Sequence, residues 1–139
     1  MSDAHKHPAE DMRVAGCLFC ALADGQDRPI VVEDEWFLAV EDQFPVNPGH
    51  TLLIPKRHIS RFTDLWDEEL LSFGRVLKKA EQMLAARQEI DGFNIGINEG
   101  EAAGQTIEHL HIHLIPRYKG DVENPRGGIR NIKPALVEY

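Results

Sequence analysis

Apolar positions at helical spacing mark one long segment of the chain. Trp66, Leu70, Phe73, Leu77, Ala80 and Leu84 recur at intervals of four and three, which on a helix align as one stripe. Asp67, Glu68 and Glu69 stand at its start, and Lys78, Lys79 and Arg87 further along, an order that suits the helix dipole. Val76 and Met83 form a second, narrower stripe that a partner subunit can cover, and Gly74 lets another backbone approach. Elsewhere the pattern is that of short strands, at Ile30 to Glu33, Trp36 to Val40 and His50 to Ile54, the last ended by Pro55. Phe93, Ile95 and Ile97 alternate with Asn94, Gly96 and Asn98, and a further strand runs from Thr106 to Ile115 until Pro116 stops it. Val14 to Leu22 reads as a short N-terminal helix, broken by Asp24-Gly25. The order predicts an α+β domain with an antiparallel sheet of about five strands.

Composition bounds this picture. With 139 residues and 15.7 kDa there is room for one domain. Residues 1–13 read as a frayed leader in which His5 and His7 are solvated, and 14–139 as the domain, with an irregular tail from about residue 117. No apolar run approaches the roughly 18 residues of a membrane span, and the N-terminus has no apolar segment of a secretory kind. A cytoplasmic protein with no membrane partner is expected. The net charge of −8 argues against a nucleic-acid partner held by a basic face.

The candidate chemistry lies in two places. Cys17-Leu18-Phe19-Cys20 holds both cysteines, and such a pair is more often metal-binding or redox-active than a disulfide in this setting. His109, His111 and His113 alternate with Leu110, Ile112 and Leu114, so on a strand the imidazoles share one face, about 6.6–7 Å apart, and the apolar row enters the core. Aligned imidazoles can hold a catalytic metal with an open position. Alternatively, one neutral ring attacks an electrophile while its neighbours orient it. Gly100, Gly104, Gln105 and Thr106 just upstream form a loop rich in donors for phosphate oxygens. Arg117, Lys119, Arg126, Arg130 and Lys133 downstream outnumber Asp121 and Glu123 and suggest a polyphosphate funnel.

Gly104-Gln105-Thr106-Ile107-Glu108-His109-Leu110-His111-Ile112-His113-Leu114-Ile115-Pro116-Arg117 resembles the signature of the histidine-triad (HIT) family of nucleotide hydrolases and transferases. The similarity extends over roughly residues 15–133, through Cys17 to Cys20, Pro48-Gly49-His50-Thr51-Leu52 and Pro55-Lys56-Arg57-His58. Arg117-Tyr118-Lys119-Gly120-Asp121 is similar to bacterial members and to enzymes that split diadenosine polyphosphates. The uridylyltransferase branch, with His-Pro-His, fits poorly.

The resemblance implies a HIT-like fold, a homodimer and catalysis at an α-phosphate of dinucleoside polyphosphates or nucleoside phosphoramidates. It makes His111 the nucleophile, His113 a phosphate contact and His50 a supporting imidazole. Asp42 matches a ribose-binding position, Phe19 and Leu22 the wall of a purine pocket for an adenine or other purine nucleotide. Asn98, Gly104 and Thr106 match the phosphate loop, with Gln105 beside them. Asn98 resembles the nucleotide-binding branch; the fragile-histidine-triad branch tends to carry Gln there. The resemblance also joins His58 and His109 to Cys17 and Cys20 as ligands of a structural zinc. Two other functions share these motifs: a zinc-dependent hydrolase using the triad as its metal site, and a nucleotide-binding module with little catalysis. A redox role for the cysteine pair is a minor alternative.

Overall fold

The computed structural model describes residues 14–23 and 29–134. The expected leader with His5 and His7, and the break at Asp24-Gly25, lie outside the described residues. Helix α1 spans Leu18–Ala23, strands β1 Ile30–Glu33, β2 Phe37–Glu41 and β3 Thr51–Pro55, helix α2 Asp67–Arg87, then strands β4 Gly92–Gly96 and β5 Ile112–Arg117. The strands form one antiparallel sheet in the order β1-β2-β3-β5-β4. This is the expected α+β architecture. Among the described residues no helix is long and apolar enough to cross a membrane.

Both faces of the sheet centre are covered. Phe37, Ala39, Leu53, Leu110, Ile112 and Leu114 pack towards α2, against Val76, Ala80 and Leu84. Leu38, Val40, Leu52 and Ile54 pack towards α1, against Phe19 and Leu22. Burial on both sides is why β2 and β3 read as continuous apolar runs instead of alternating ones.

The core-facing line of α2 is rotated from the expected stripe. Its buried residues are Glu69, Ser72, Val76, Ala80 and Leu84, while Leu70 is 39% exposed. Val76, assigned by pattern to an outer stripe, is therefore core, and Met83 alone of that pair stays outside. The rotation has a polar cause. Ser72 Oγ donates to Asp34, and Glu69 receives the Arg57 guanidinium through two bonds of 3.1 and 2.8 Å. Arg57 also donates to the Asp64 carbonyl at 2.7 Å and lies 3.9 Å from the Trp66 ring centroid. Glu69 further accepts the Trp66 N–H at 2.7 Å, closing the free end of α2 as the third residue of a helix often does. A polar pair thus ties α2 to the segment following β3.

β5 differs from expectation at both ends. It begins at Ile112, not Thr106, and continues through Pro116 to Arg117. Pairing with β3 covers only Ile112 to Leu114, so Pro116 has a strand neighbour, Phe93, on one side alone, where proline is tolerated. Before Ile112 the chain leaves the ladder, and the Leu110 N–H instead reaches the Ile59 carbonyl. His109 and Leu110 are consecutive yet both buried, at 0% and 1% exposure, because each face is covered there.

Replacing Glu69 with Ala leaves the buried Arg57 charge unpaired and should lower unfolding stability by about 3 kcal/mol or more. Urea titration of both proteins checks this, and Glu69→Gln, which keeps hydrogen-bond acceptance, should lose less.

Candidate active site and metal centre

β5 carries His113 on the face opposite α2, directly across from Leu52 of β3 and Gly96 of β4. His111 precedes the strand on the same side, its ring 5.3 Å from that of His113. His111 Nδ1 lies 2.8 Å from the backbone carbonyl oxygen of His109. A carbonyl only accepts, so Nδ1 carries the proton and the lone pair of the neutral ring resides on Nε2.

A second chain of bonds fixes the other rings. The Val46 N–H donates to His50 Nδ1 at 3.0 Å, which places the His50 proton on Nε2. From there it is donated to His113 Nδ1, 3.0 Å away, so the His113 proton sits on Nε2. Asp42 stands 3.4 Å from His50 Nε2, and its other oxygen accepts the Phe44 N–H at 2.8 Å. Burial lowers the His113 pKa to about 4, helped by repulsion from His111 and His50 and opposed by Asp42. Burial likewise lowers that of His50, against the pull of Asp42. At neutral pH both are uncharged donors.

Gly49 prepares this corner. Its φ of +92° is left-handed, and a Cβ there would meet Gln88 Oε1 at 2.6 Å and Pro116 at 3.0 Å. Only glycine lets the loop approach β5 closely enough to hand His50 to His113.

The cysteines meet two histidines. Cys17 Sγ is 3.4 Å from His109 Nδ1, and Cys20 Sγ is 3.5 Å from that atom and 3.3 Å from His58 Nδ1. Tetrahedral zinc with ordinary bond lengths sets sulfur and nitrogen ligands about 3.5 Å apart. His109 Nε2 donates to the Pro55 carbonyl at 2.8 Å, leaving its lone pair on Nδ1, where a metal would take it. The donor set and its geometry fit a closed metal centre.

Asp42, His50 and His113 also converge closely enough to share an ion. There the chemistry opposes it. A metal on His50 Nε2 would displace the proton onto Nδ1, against the Val46 N–H. His50 and His113 therefore suit hydrogen-bond donation better than ligation.

The expected nucleotide residues fall into distinct roles. Phe19 is buried, with its ring 4.9 Å from His111 and 5.8 Å from His109, and Leu22 lies beneath the same face. Gly104 and Thr106 line an open cleft with Ser60, Arg61 and Gly100. Asn98 follows β4, two residues past Gly96, the β4 residue that pairs with His113. Gln105 spends its amide within the loop, accepting the Gly100 N–H at 2.8 Å and donating to the Ser60 and Ile107 carbonyls, both at 3.2 Å. Arg117, expected in a polyphosphate funnel, instead forms a two-bond pair with Asp121 and donates to Asn94. Sequence reasoning missed Val46 and the Pro55 and His109 carbonyls, since backbone groups leave no signal in residue type. It also missed Asn47, for which Pro48-Gly49 was the nearest cue.

Residues 24–120 match the model of the HIT domain. The chain belongs to the HIT family. An uncharacterized HIT-like protein of Methanocaldococcus jannaschii is 42% identical over 118 residues, covering 84% of this chain and 91% of the relative. Among solved structures, a zinc-bound histidine triad family protein from Mycobacterium smegmatis is similar, with a TM-score of 0.65 and 40% identity over 76% of this chain and 78% of that one. A HIT family hydrolase from Legionella pneumophila gives 0.61 and 33%, over 72% and 91%. The HIT fold is thus common to all of them, and the site described above occupies its triad.

The depressed His113 pKa has a consequence for this HIT protein. As pH falls below 6.5, the unfolded chain takes up a proton at this residue that the folded one refuses until about pH 4. Stability should be fully present above 6.5 and decline across that interval. Urea midpoints measured over the range check it, and His113→Gln should flatten the decline.

Proposed function

We propose that this HIT protein cleaves nucleotides at the α-phosphate, on dinucleoside polyphosphates or nucleoside phosphoramidates, through a covalent intermediate on His111. The observation that carries this reading is the bond from His111 Nδ1 to the His109 carbonyl, which leaves Nε2 as a neutral nucleophile. Nε2 attacks phosphorus, a P–N bond forms, and the bond to the leaving oxygen or nitrogen breaks. Water then adds to phosphorus, the P–N bond breaks, and His111 is restored with release of a nucleoside monophosphate. His113, with its proton on Nε2, donates to a non-bridging oxygen, backed by His50. Gly104, Thr106 and Asn98 supply further donors; Gln105 shapes their loop from within. Asp42 retains lone pairs for ribose hydroxyls, and Phe19 and Leu22 back the site beneath a purine.

Cys17, Cys20, His58 and His109 would hold a zinc ion, whose chemistry is structural: it cross-links α1 to the chain entering β5. The same reading includes a homodimer. β4 is one of the two edge strands of the sheet, a position open to pairing with a second copy.

His111→Ala should keep the fold and lose about a thousandfold or more in turnover. Rapid quench of the unaltered protein with a labelled dinucleoside polyphosphate should trap an acid-labile nucleotidyl adduct that the variant never forms; full turnover in the variant ends the mechanism. Prolonged chelation separates a structural from a catalytic metal. Melting temperature should fall first, with activity following the folded fraction; immediate loss of activity in a still-folded protein would instead assign the metal to catalysis.

A further inference from the structure

The tautomers of His50 and His113 depend on where the Val46 N–H is held, and the loop bearing Val46 is docked from outside the catalytic row. The His50 N–H bonds back to the Asn47 carbonyl at 3.1 Å, closing a tight turn over residues 46–50. Asn47 Nδ2 spends one hydrogen on the Pro116 carbonyl at 3.0 Å and the other on Asp121 at 2.8 Å. Asp121 in turn receives both Arg117 bonds at 2.8 Å and the Tyr118 N–H at 3.0 Å, and Arg117 is braced by Asn94 on β4. Tyr118 Oη makes a separate tie to the Pro48 carbonyl at 2.8 Å. None of these groups touches the imidazoles. Yet the connection is continuous, from the Arg117–Asp121 pair at the end of β5, through Asn47, to the N–H that decides which His50 nitrogen is protonated.

We propose that Asn47 and Asp121 are positioning residues that hold the Val46 N–H on His50 Nδ1 and thereby keep His113 protonated on Nε2. Without that clamp, His50 can carry its proton on Nδ1 instead. Its Nε2 then becomes an acceptor, His113 must turn its own proton to Nδ1 to keep the bond, and Nε2 of His113 presents a lone pair outward. A donor for an anionic oxygen becomes a repulsive acceptor, with no change in charge or side-chain identity. Salt-bridge stability alone does not account for the arrangement, since the Arg117–Asp121 pair is complete without Asn47. What Asn47 adds is the link to the loop.

The test is the nitrogen chemical shifts of the full-length protein labelled at histidine, which distinguish protonated from lone-pair ring nitrogens. Asn47→Ala should convert His50 and His113 from single tautomers to mixtures, and Asp121→Asn should move the same two residues in the same direction. Tyr118→Phe, which cuts only the tie to Pro48, should keep the parent pattern. The double variant of Asn47 and Asp121 should be no more mixed than Asn47→Ala alone, because both act along one path. Should Asn47→Ala fail to fold, Asp121→Asn supplies the same reading. Unchanged tautomers in a folded variant overturn the proposal, as does a Tyr118→Phe pattern equal to that of Asn47→Ala, which would mean general loosening of the loop. The kinetic arm rests on the catalytic reading above: turnover should fall about tenfold or more in Asn47→Ala. If the parent protein has no turnover, that reading fails while the spectroscopic result still decides this one.

Discussion

A single backbone carbonyl, that of His109, decides which nitrogen of His111 carries the lone pair. It accepts the hydrogen bond from His111 Nδ1 and so leaves the ring's lone pair on Nε2. The carbonyl can be there because His109 leaves the ladder just before β5 begins, its side chain buried and its Nε2 spent on the Pro55 carbonyl. A regular strand would have turned that carbonyl into a rung of the sheet. The irregular stretch ahead of Ile112 is therefore a requirement of the site, not a defect in the strand.

The same residue joins the two centres. His109 offers its side-chain lone pair to the cysteine cluster and its main-chain oxygen to His111 Nδ1, while Phe19, between the two cysteines, packs its ring against both His109 and His111. A metal bound by these four side chains would thus restrain the orientation of His111 without entering the reaction. Burial of His109 at 0% and Phe19 at 2% exposure makes the arrangement stiff, since neither of these rings can turn without displacing the other.

Much of this could be read from residue order. The alternation of His109, His111 and His113 with Leu110, Ile112 and Leu114 gave the faces of β5 correctly, because the apolar row has to reach α2. The α+β architecture and its sheet followed from the same periods. Legibility ended where polar partners overrode hydrophobic pattern. Glu69 and Ser72 line the inner side of α2 because Arg57 and Asp34 await them, and no apolar stripe can reveal a partner distant in sequence. Gln105 and Arg117 looked available for phosphate by type, but the loop carbonyls and Asp121 had already engaged them. Asn47 and Val46 act through an amide and a main-chain N–H, whose targets exist only once the loop is folded against β5.

Charge and hydrogen-bond direction answer different needs here. The chain carries a net charge of −8, and the Arg117 guanidinium at the end of β5 is neutralised by Asp121, so long-range attraction for an anion is weak. Near His111, burial keeps His50 and His113 uncharged, so an anion there would meet oriented N–H groups in place of charge. That choice favours the chemistry. If His111 attacks phosphorus as proposed, a cationic His113 would oppose the positive charge developing on the His111 ring, whereas a neutral donor would bind the oxygen without that repulsion. Orientation must then do what charge would otherwise do, and orientation is what the turn over residues 46–50 and the His109 carbonyl supply.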